Sequence, residues 1–381
     1  MTPSTTVNIA VAGLEFGSQF VPIYLEHPAV GRVGICDSRP GRLDDVGDQL
    51  GIEDRFVSFD DVLSDGCWDA VHIATPVSTH ADFTVRALEA GKHCACAVPM
   101  ATTEDDIARV LRAERASGKR YMMMETVVLS RQYLYAKELY DTGELGELTF
   151  LRGAHLQDLE GFARYWWGYP PMHYVTHALA PLLDIARTAA AQVSCLGSGS
   201  LPAAMQEVYG NPFPLETGHF RLARPGLAAE VTIAFYSTAH PYSEGFSIYG
   251  DRRSVEWGQL GNDSQLLYEF LPLEAGRRGR RVEAKVVEAP DRADLLPKQL
   301  APFTETAEYR PAGGGSFLVR NEHGSSHPHL VHDFISSIVE DRPPRVPGWL
   351  AANWTLPGII AHASALAQGA VLDVAEHRAQ P

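Results

Sequence analysis

The stretch Val7-Asn8-Ile9-Ala10-Val11-Ala12-Gly13-Leu14-Glu15-Phe16-Gly17-Ser18 decides the fold class. Six residues, nearly all apolar, end in a glycine turn, and a helical pattern runs on to about His27. A strand reads this way when both of its faces are covered, as at the centre of a parallel sheet. The alternation continues through VGICD, a helix to Leu50, DAVHIATP, HADFTVRALEAG, HCACAVP, a long helix to Ser117 and RYMMME. Strands alternating with helices predict an α/β domain built on a doubly wound parallel sheet over residues 1–125. Ligands of such sheets bind beyond the carboxyl ends of the strands, which singles out the Gly13 turn.

A full dinucleotide fingerprint would carry glycine at positions 13, 15 and 18, and this chain has only Gly13, with Glu15 and Ser18 at the others. The second glycine lets the backbone approach a pyrophosphate and the third lets helix and strand pack closely. Asp37 supports the reading, because it stands just past the second strand where a carboxylate accepts hydrogen bonds from an adenosine ribose. The expected cofactor contacts are Gly13, Glu15, Phe16 and Gly17 from the turn, and Asp37 and Arg39 after the second strand. NAD is the expected cofactor, since Asp37 repels a 2'-phosphate, while Arg39 can pair with that phosphate and keeps NADP open. A tight turn followed by a solvated aspartate is the plain structural alternative.

At 381 residues the chain is well over twice the ~150 of a typical domain, so two domains are expected. After Met124 a helix from about Arg131 to Asp141 stops at Gly143 and Gly146, a strand runs through LTFLRGAHL, and YWWGYPP leads into a helix near Met172. Beyond Val193, HFRLAR, LAAEVTIAFYS, FSIYG and RSVEWG alternate with period two, which predicts a largely antiparallel open sheet. The boundary therefore falls near 125, with residues 126–381 as an α+β domain for substrate binding and oligomerisation. Residues 272–325 show no clear pattern, and the helical stretches 327–340 and 348–367 are free to pack back on the first domain.

Hydrophobic residues at 45% and charged residues at 21% exclude disorder as the main state. A formal net charge of -15 disfavours nucleic acid and anionic membranes as partners, which leaves small molecules. Met1 to Thr6 is short and polar and reads as no address, and even Leu179 to Ala191 is broken by Asp184 and Arg187, so a cytoplasmic chain without membrane spans is expected. Five cysteines without a CxxC pair are expected to be reduced.

Thr75-Pro76-Val77-Ser78-Thr79-His80, Ala90-Gly91-Lys92-His93, Pro99-Met100-Ala101-Thr102-Thr103 and Gly143-Glu144-Leu145-Gly146 follow one another in an order and spacing that resemble the Gfo/Idh/MocA family over nearly the whole chain. The resemblance implies a Rossmann domain in which Thr75, Pro76, His80 and Pro99 join the cofactor site. It also implies a second domain whose open sheet often forms an oligomer interface, hence a homo-oligomer, dimer or tetramer. The usual family chemistry is hydride transfer between NAD(P) and a sugar or cyclitol carbon. Two positions depart. The family has Glu-Lys-Pro, with that Lys as its proton-transfer residue, where this chain has Ala97-Val98-Pro99. Its Asp and His, four residues apart, correspond here to His173 and His177.

A closer likeness is to the NAD-dependent glycosidases of the superfamily, through Met124-Glu125, His155-Leu156-Gln157-Asp158 and Tyr174-Val175-Thr176-His177. It implies that Tyr174, His177 and Glu125 line a sugar site and that His155 and Gln157 touch the substrate. Val175 and Thr126 depart from that group's pattern, so its exact substrate and mechanism are not carried over.

Oxidising an alcohol requires a base whose pKa lies near the working pH, and His177 suits that task. It lies one helical turn after His173, so the two rings are expected to share a face. Tyr174 can relay a proton, and Glu125, after the last strand of the first sheet, can orient or charge an imidazole. His173 and His177 also have the spacing of a zinc clamp with Glu125 as third ligand, but spacing fixes no further ligand and no metal is assigned. A hydrogen-bonded core histidine is the structural alternative for both. Trp166, Trp167 and Tyr169 offer flat faces to a sugar ring, with domain packing as the alternative, and His327 is a further substrate contact. Three functions compete: an NAD(P)-dependent oxidoreductase acting on CH-OH, a redox-cycling glycosidase or lyase, and a non-catalytic NAD- or sugar-binding protein.

Overall fold

In the computed structural model, which describes residues 6–258, 264–311, 315–320 and 322–379, β1 (Val7–Ala12) is buried at every position except Asn8. Residues 1–5, read above as part of a segment without an address, lie outside the described residues. β2 (Val30–Cys36), β3 (Arg55–Phe56), β4 (Ala70–Ile73), β5 (His93–Cys96) and β6 (Tyr121–Met123) complete a parallel sheet in the order β3-β2-β1-β4-β5-β6. The order reverses between β1 and β4, which is the doubly wound arrangement expected. Local chemistry sets the helix ends. Thr103 caps Glu104–Ser117 by accepting from the Asp106 N–H at 3.1 Å, three acidic residues fill the first turn, and Gly118 closes it at φ 65°. The helix expected to reach His27 is instead two, Leu14–Gly17 and Val21–Glu26, because Pro22 lacks an N–H and belongs in an opening turn.

The chain forms two compact units, residues 1–129 with 291–352 and 378–381, and residues 130–290 with 353–377. The sequence sets one boundary near 125. The contacts set the first crossing at 129 and return 291–352 to the first unit. The cause is the helix Ser326–Val339, whose Leu330, Val331, Phe334 and Ile335 are fully buried and which packs against Val21–Glu26 and β1.

The second unit holds β7 (Leu148–Leu156), β8 (Ala190–Ser198), β9 (Leu215–Leu222), β10 (Ala228–Ala234), β11 (Ser243–Gly250), β12 (Arg253–Trp257), β13 (Gln265–Phe270) and β14 (Val282–Val287). Their order is β14-β13-β12-β11-β7-β10-β9-β8, with the short strand Leu372–Asp373 beyond β8. β7 and β10 run parallel, and the other pairs are antiparallel. The helix Thr176–Ala186, buried at every residue but Asp184, lies across β7, β10 and β11. Gly153 on β7 permits this, since a Cβ there would stand 2.2 Å from the Ala178 carbonyl oxygen.

Among the described residues no helix is long and apolar enough to cross a membrane. Replacement Gly153→Ala must lift the Thr176–Ala186 helix from β7, and chemical denaturation should report a loss of about 1–3 kcal/mol. Burial pulls the His72 pKa down to about 3 and those of His27 and His329 down to about 4. The unfolded chain takes up these protons near pH 6.5, so stability is complete above that value and is lost as pH falls toward 4. Each of these histidines contributes up to about 1.4 kcal/mol per pH unit in that window. Glu114, pushed up to about 7 by burial, acts in the opposite direction and is outnumbered. Thermal unfolding should therefore show a Tm that falls from neutral pH downward, and a Tm that is flat or rising would contradict the assignment.

Candidate active site

In the first unit the chain leaves β1 at Gly13 with φ 89°, and a Cβ there would lie 2.4 Å from the Ala74 carbonyl oxygen, so only glycine fits. The turn is fixed from the end of β2, where the buried Asp37 accepts from the Leu14 N–H at 2.9 Å. The same carboxylate accepts from the Arg39 backbone N–H at 2.9 Å, Nε at 3.0 Å and Nη2 at 3.1 Å. Burial raises the Asp37 pKa, but the Arg39 guanidinium and the two backbone donors outweigh it and hold the carboxyl below its ordinary range. Arg39 also meets the exposed Glu15 at 2.9 Å. One guanidinium between two carboxylates leaves net negative charge, which fits the diol of an NAD ribose better than a 2'-phosphate.

The loops beyond β4 and β5 are tied together by His80, whose Nδ1 lies 2.8 Å from the Pro99 carbonyl oxygen and Nε2 2.9 Å from that of Thr75. Both nitrogens face backbone carbonyls, so His80 shapes the loops carrying Thr75, Pro76 and Pro99. Val98, where the family keeps its Lys, is buried. Gly17 packs under the turn, where a Cβ would meet Val11 at 2.9 Å. The Phe16 ring lies edge-on to His323 and His327, at 5.9 and 5.6 Å, and His327 also meets Phe20 at 4.3 Å. His327 therefore packs beside the dinucleotide turn, carried there by the returning helix. Glu125 follows β6, is fully buried, and accepts from the Val127 N–H at 3.0 Å.

In the second unit His155 lies two residues beyond Gly153 on the same face of β7, and His177 immediately precedes Ala178. Their rings stack 5.4 Å apart at 19°. The Tyr174 ring is 5.0 Å from His177 and 5.7 Å from His155, and Gln157 Oε1 lies 3.3 Å from His155 Nε2. His173 faces elsewhere, toward His362 at 5.1 Å and Tyr169 at 6.0 Å. The single helix face expected for His173 and His177 does not form, because a 3-10 turn, Pro171–Tyr174, precedes the α-helix that starts at Thr176. Burial and the adjacent His362 pull the His173 pKa down to about 3, so that ring is neutral at physiological pH. Among the described residues no group of three or more His, Cys, Asp or Glu is placed to hold a metal.

The aromatic loop is pinned along its backbone. Asn211 donates to the Gly168 and Phe213 carbonyls at 3.3 and 2.8 Å, Tyr209 donates to the Tyr165 carbonyl at 2.5 Å, and Tyr236 donates to that of Trp166. Trp166 meets Tyr174 edge-on at 5.3 Å, Trp167 is exposed beneath the Arg164 guanidinium, and Tyr169 is buried inside the loop. Four polar residues around these rings escape a sequence reading. Tyr242 lies 5.4 Å from the His155 ring and donates to the Glu244 carboxylate at 3.1 Å. Glu216 accepts from the Met172 N–H at 2.8 Å and pairs with His362 Nδ1 at 2.7 Å, which anchors the turn bearing His173 and Tyr174. A usable signal exists, since Glu216 is in phase with Phe220 and Leu222, and Glu244 with Phe246 and Ile248, each a carboxylate on a core face.

Residues 7–125 match the pattern of GFO_IDH_MocA, described as an oxidoreductase family with an NAD-binding Rossmann fold. The chain is 30% identical over 204 residues to a Glycosyl hydrolase family 109 protein of Porphyromonas gingivalis, covering 48% of this chain and 44% of that protein. It is 32% identical over 125 residues to Inositol 2-dehydrogenase of Salmonella typhimurium, covering 32% and 37%. The chain thus spans less than half the length of these curated relatives. The crystal structure of myo-inositol 2-dehydrogenase from Lactobacillus plantarum matches with a TM-score of 0.73 over 97% of this chain and 100% of that one, at 15% identity, a likeness of fold. The match to the oxidoreductase family with an NAD-binding Rossmann fold thus falls on the residues that carry the six-stranded parallel sheet.

Proposed function

We propose that the protein is an NAD-dependent oxidoreductase that transfers a hydride between the nicotinamide and a secondary alcohol carbon of a sugar, glycoside or cyclitol, with His177 as acid/base. The observation that carries this reading is the cluster of the buried His155 and His177 with the half-buried Tyr174, in a chain whose residues 7–125 match an NAD-binding family. The Gly13 turn, Asp37 and the loops tied by His80 hold the dinucleotide, which when bound supplies the hydride acceptor. His177 takes the hydroxyl proton, Tyr174 orients that hydroxyl, and Glu125 contributes negative charge. An imidazole titrates near neutrality and so performs the task left open by Val98. The relative named Inositol 2-dehydrogenase supports a polyhydroxylated ring as substrate.

A second reading is favoured by the Glycosyl hydrolase family 109 relative together with Val98 in place of Lys. There the alcohol is oxidised transiently, the acidified neighbouring C–H loses its proton as the glycosidic group departs, water adds, and the hydride returns in the same turnover.

A panel of sugars and cyclitols with NAD should yield nicotinamide absorbance in proportion to product. His177→Ala should lower the rate about a hundredfold to ten-thousandfold while NAD affinity, read by fluorescence, is unchanged. Full activity in that variant would remove His177 from the mechanism. Turnover in deuterated water separates the two readings: deuterium beside the oxidised carbon, a released leaving group and no net absorbance change select the cycling route, and stoichiometric absorbance without deuterium selects simple oxidation.

A further inference from the structure

A buried carboxylate needs a reason, because its desolvation is costly unless donors or a charge offset it. Glu244 is only 5% exposed. In the β7–β11 ladder it stands directly opposite His155, so the two side chains leave the same face at the distance of a cross-strand pair. Tyr242, on that side of β11, donates its hydroxyl to Glu244 and sets its ring at 87° to the His155 imidazole. His155 in turn is stacked on His177.

We propose that Glu244 is the positioning carboxylate of the stacked imidazole pair, orienting His155 and offsetting the positive charge that arrives on the pair when His177 takes a proton. The proposal deepens the acid/base reading above and rests on it. Among the described residues, the titratable groups set against the His155 ring include Tyr174, His177 and Tyr242, and Glu244 brings a carboxylate opposite it in the ladder. The two imidazoles are themselves buried, at 1% and 3% exposure, so a proton arriving on His177 gains little from solvent and a negative charge one ring away has a large effect. The family's proton-transfer amine brings its own charge, whereas Val98 brings none. The Glu244–His155–His177 series instead carries a carboxylate beside the imidazole pair within the second unit.

The test uses the full chain with 15N-labelled histidine. Glu244→Gln removes the charge at constant size and Glu244→Asp retains it. The ring-nitrogen signals of His155 and His177, assigned from single-histidine variants, should move in Glu244→Gln and stay near the parent positions in Glu244→Asp. On an active substrate, Glu244→Gln should lower kcat more than tenfold at nearly constant KM and NAD affinity, with Glu244→Asp recovering most of the loss. Unmoved ring signals in Glu244→Gln would overturn the proposal, and so would equal impairment of the two variants, which would assign Glu244 to packing. If the parent oxidises and cleaves nothing in the panel, the acid/base reading fails, and the ring signals still decide whether Glu244 governs the pair.

Discussion

The close approach of the Ala178 carbonyl to Gly153 determines where the rings of the second unit can lie. Strand side chains alternate, so a helix that touches the strand at Gly153 also covers position 155. His177 is the neighbour of the touching residue and therefore arrives over His155. Tyr174 sits just before the helix, where the Glu216 carboxylate holds the preceding backbone. A methyl group at 153 would act on all of these at once, although none of them bonds to it.

The first unit uses the same device at Gly13 against Ala74. In both units a buried carboxylate then fixes what the glycine has allowed. Asp37 binds the Leu14 N–H beyond Gly13, and Glu216 binds the Met172 N–H before the Thr176 helix. These anions are stabilised by backbone donors and by Arg39 or His362, and the net gain is positional more than energetic.

The parallel sheet was legible because strands covered on both faces must be apolar throughout, as β1 and β4 are. The placement of Asp37 just past β2 and of the Tyr174–His177 run at a helix start was legible because a local turn or helix start carries them. Glu244, Tyr242, Glu216 and His362 were not, since their meaning depends on strand register and on partners far along the chain: Glu244 opposes His155, and Glu216 pairs with a helix near the C-terminal end. The division of the rings of His173 and His177 was hidden for a smaller reason, a change from 3-10 to α geometry within a few residues. Residues 291–352 were unreadable as part of the first unit because the helix 326–339 shows an apolar stripe but not what it will cover.

The aromatic loop has a consequence for recognition. Its backbone carbonyls are tied to Asn211, Tyr209 and Tyr236 before any guest arrives, so little freedom remains to be frozen on association. Under the proposed function, a wall held in this way selects by stereochemistry, and epimers that differ at one carbon would be told apart by fit against Trp166 more than by rearrangement around it.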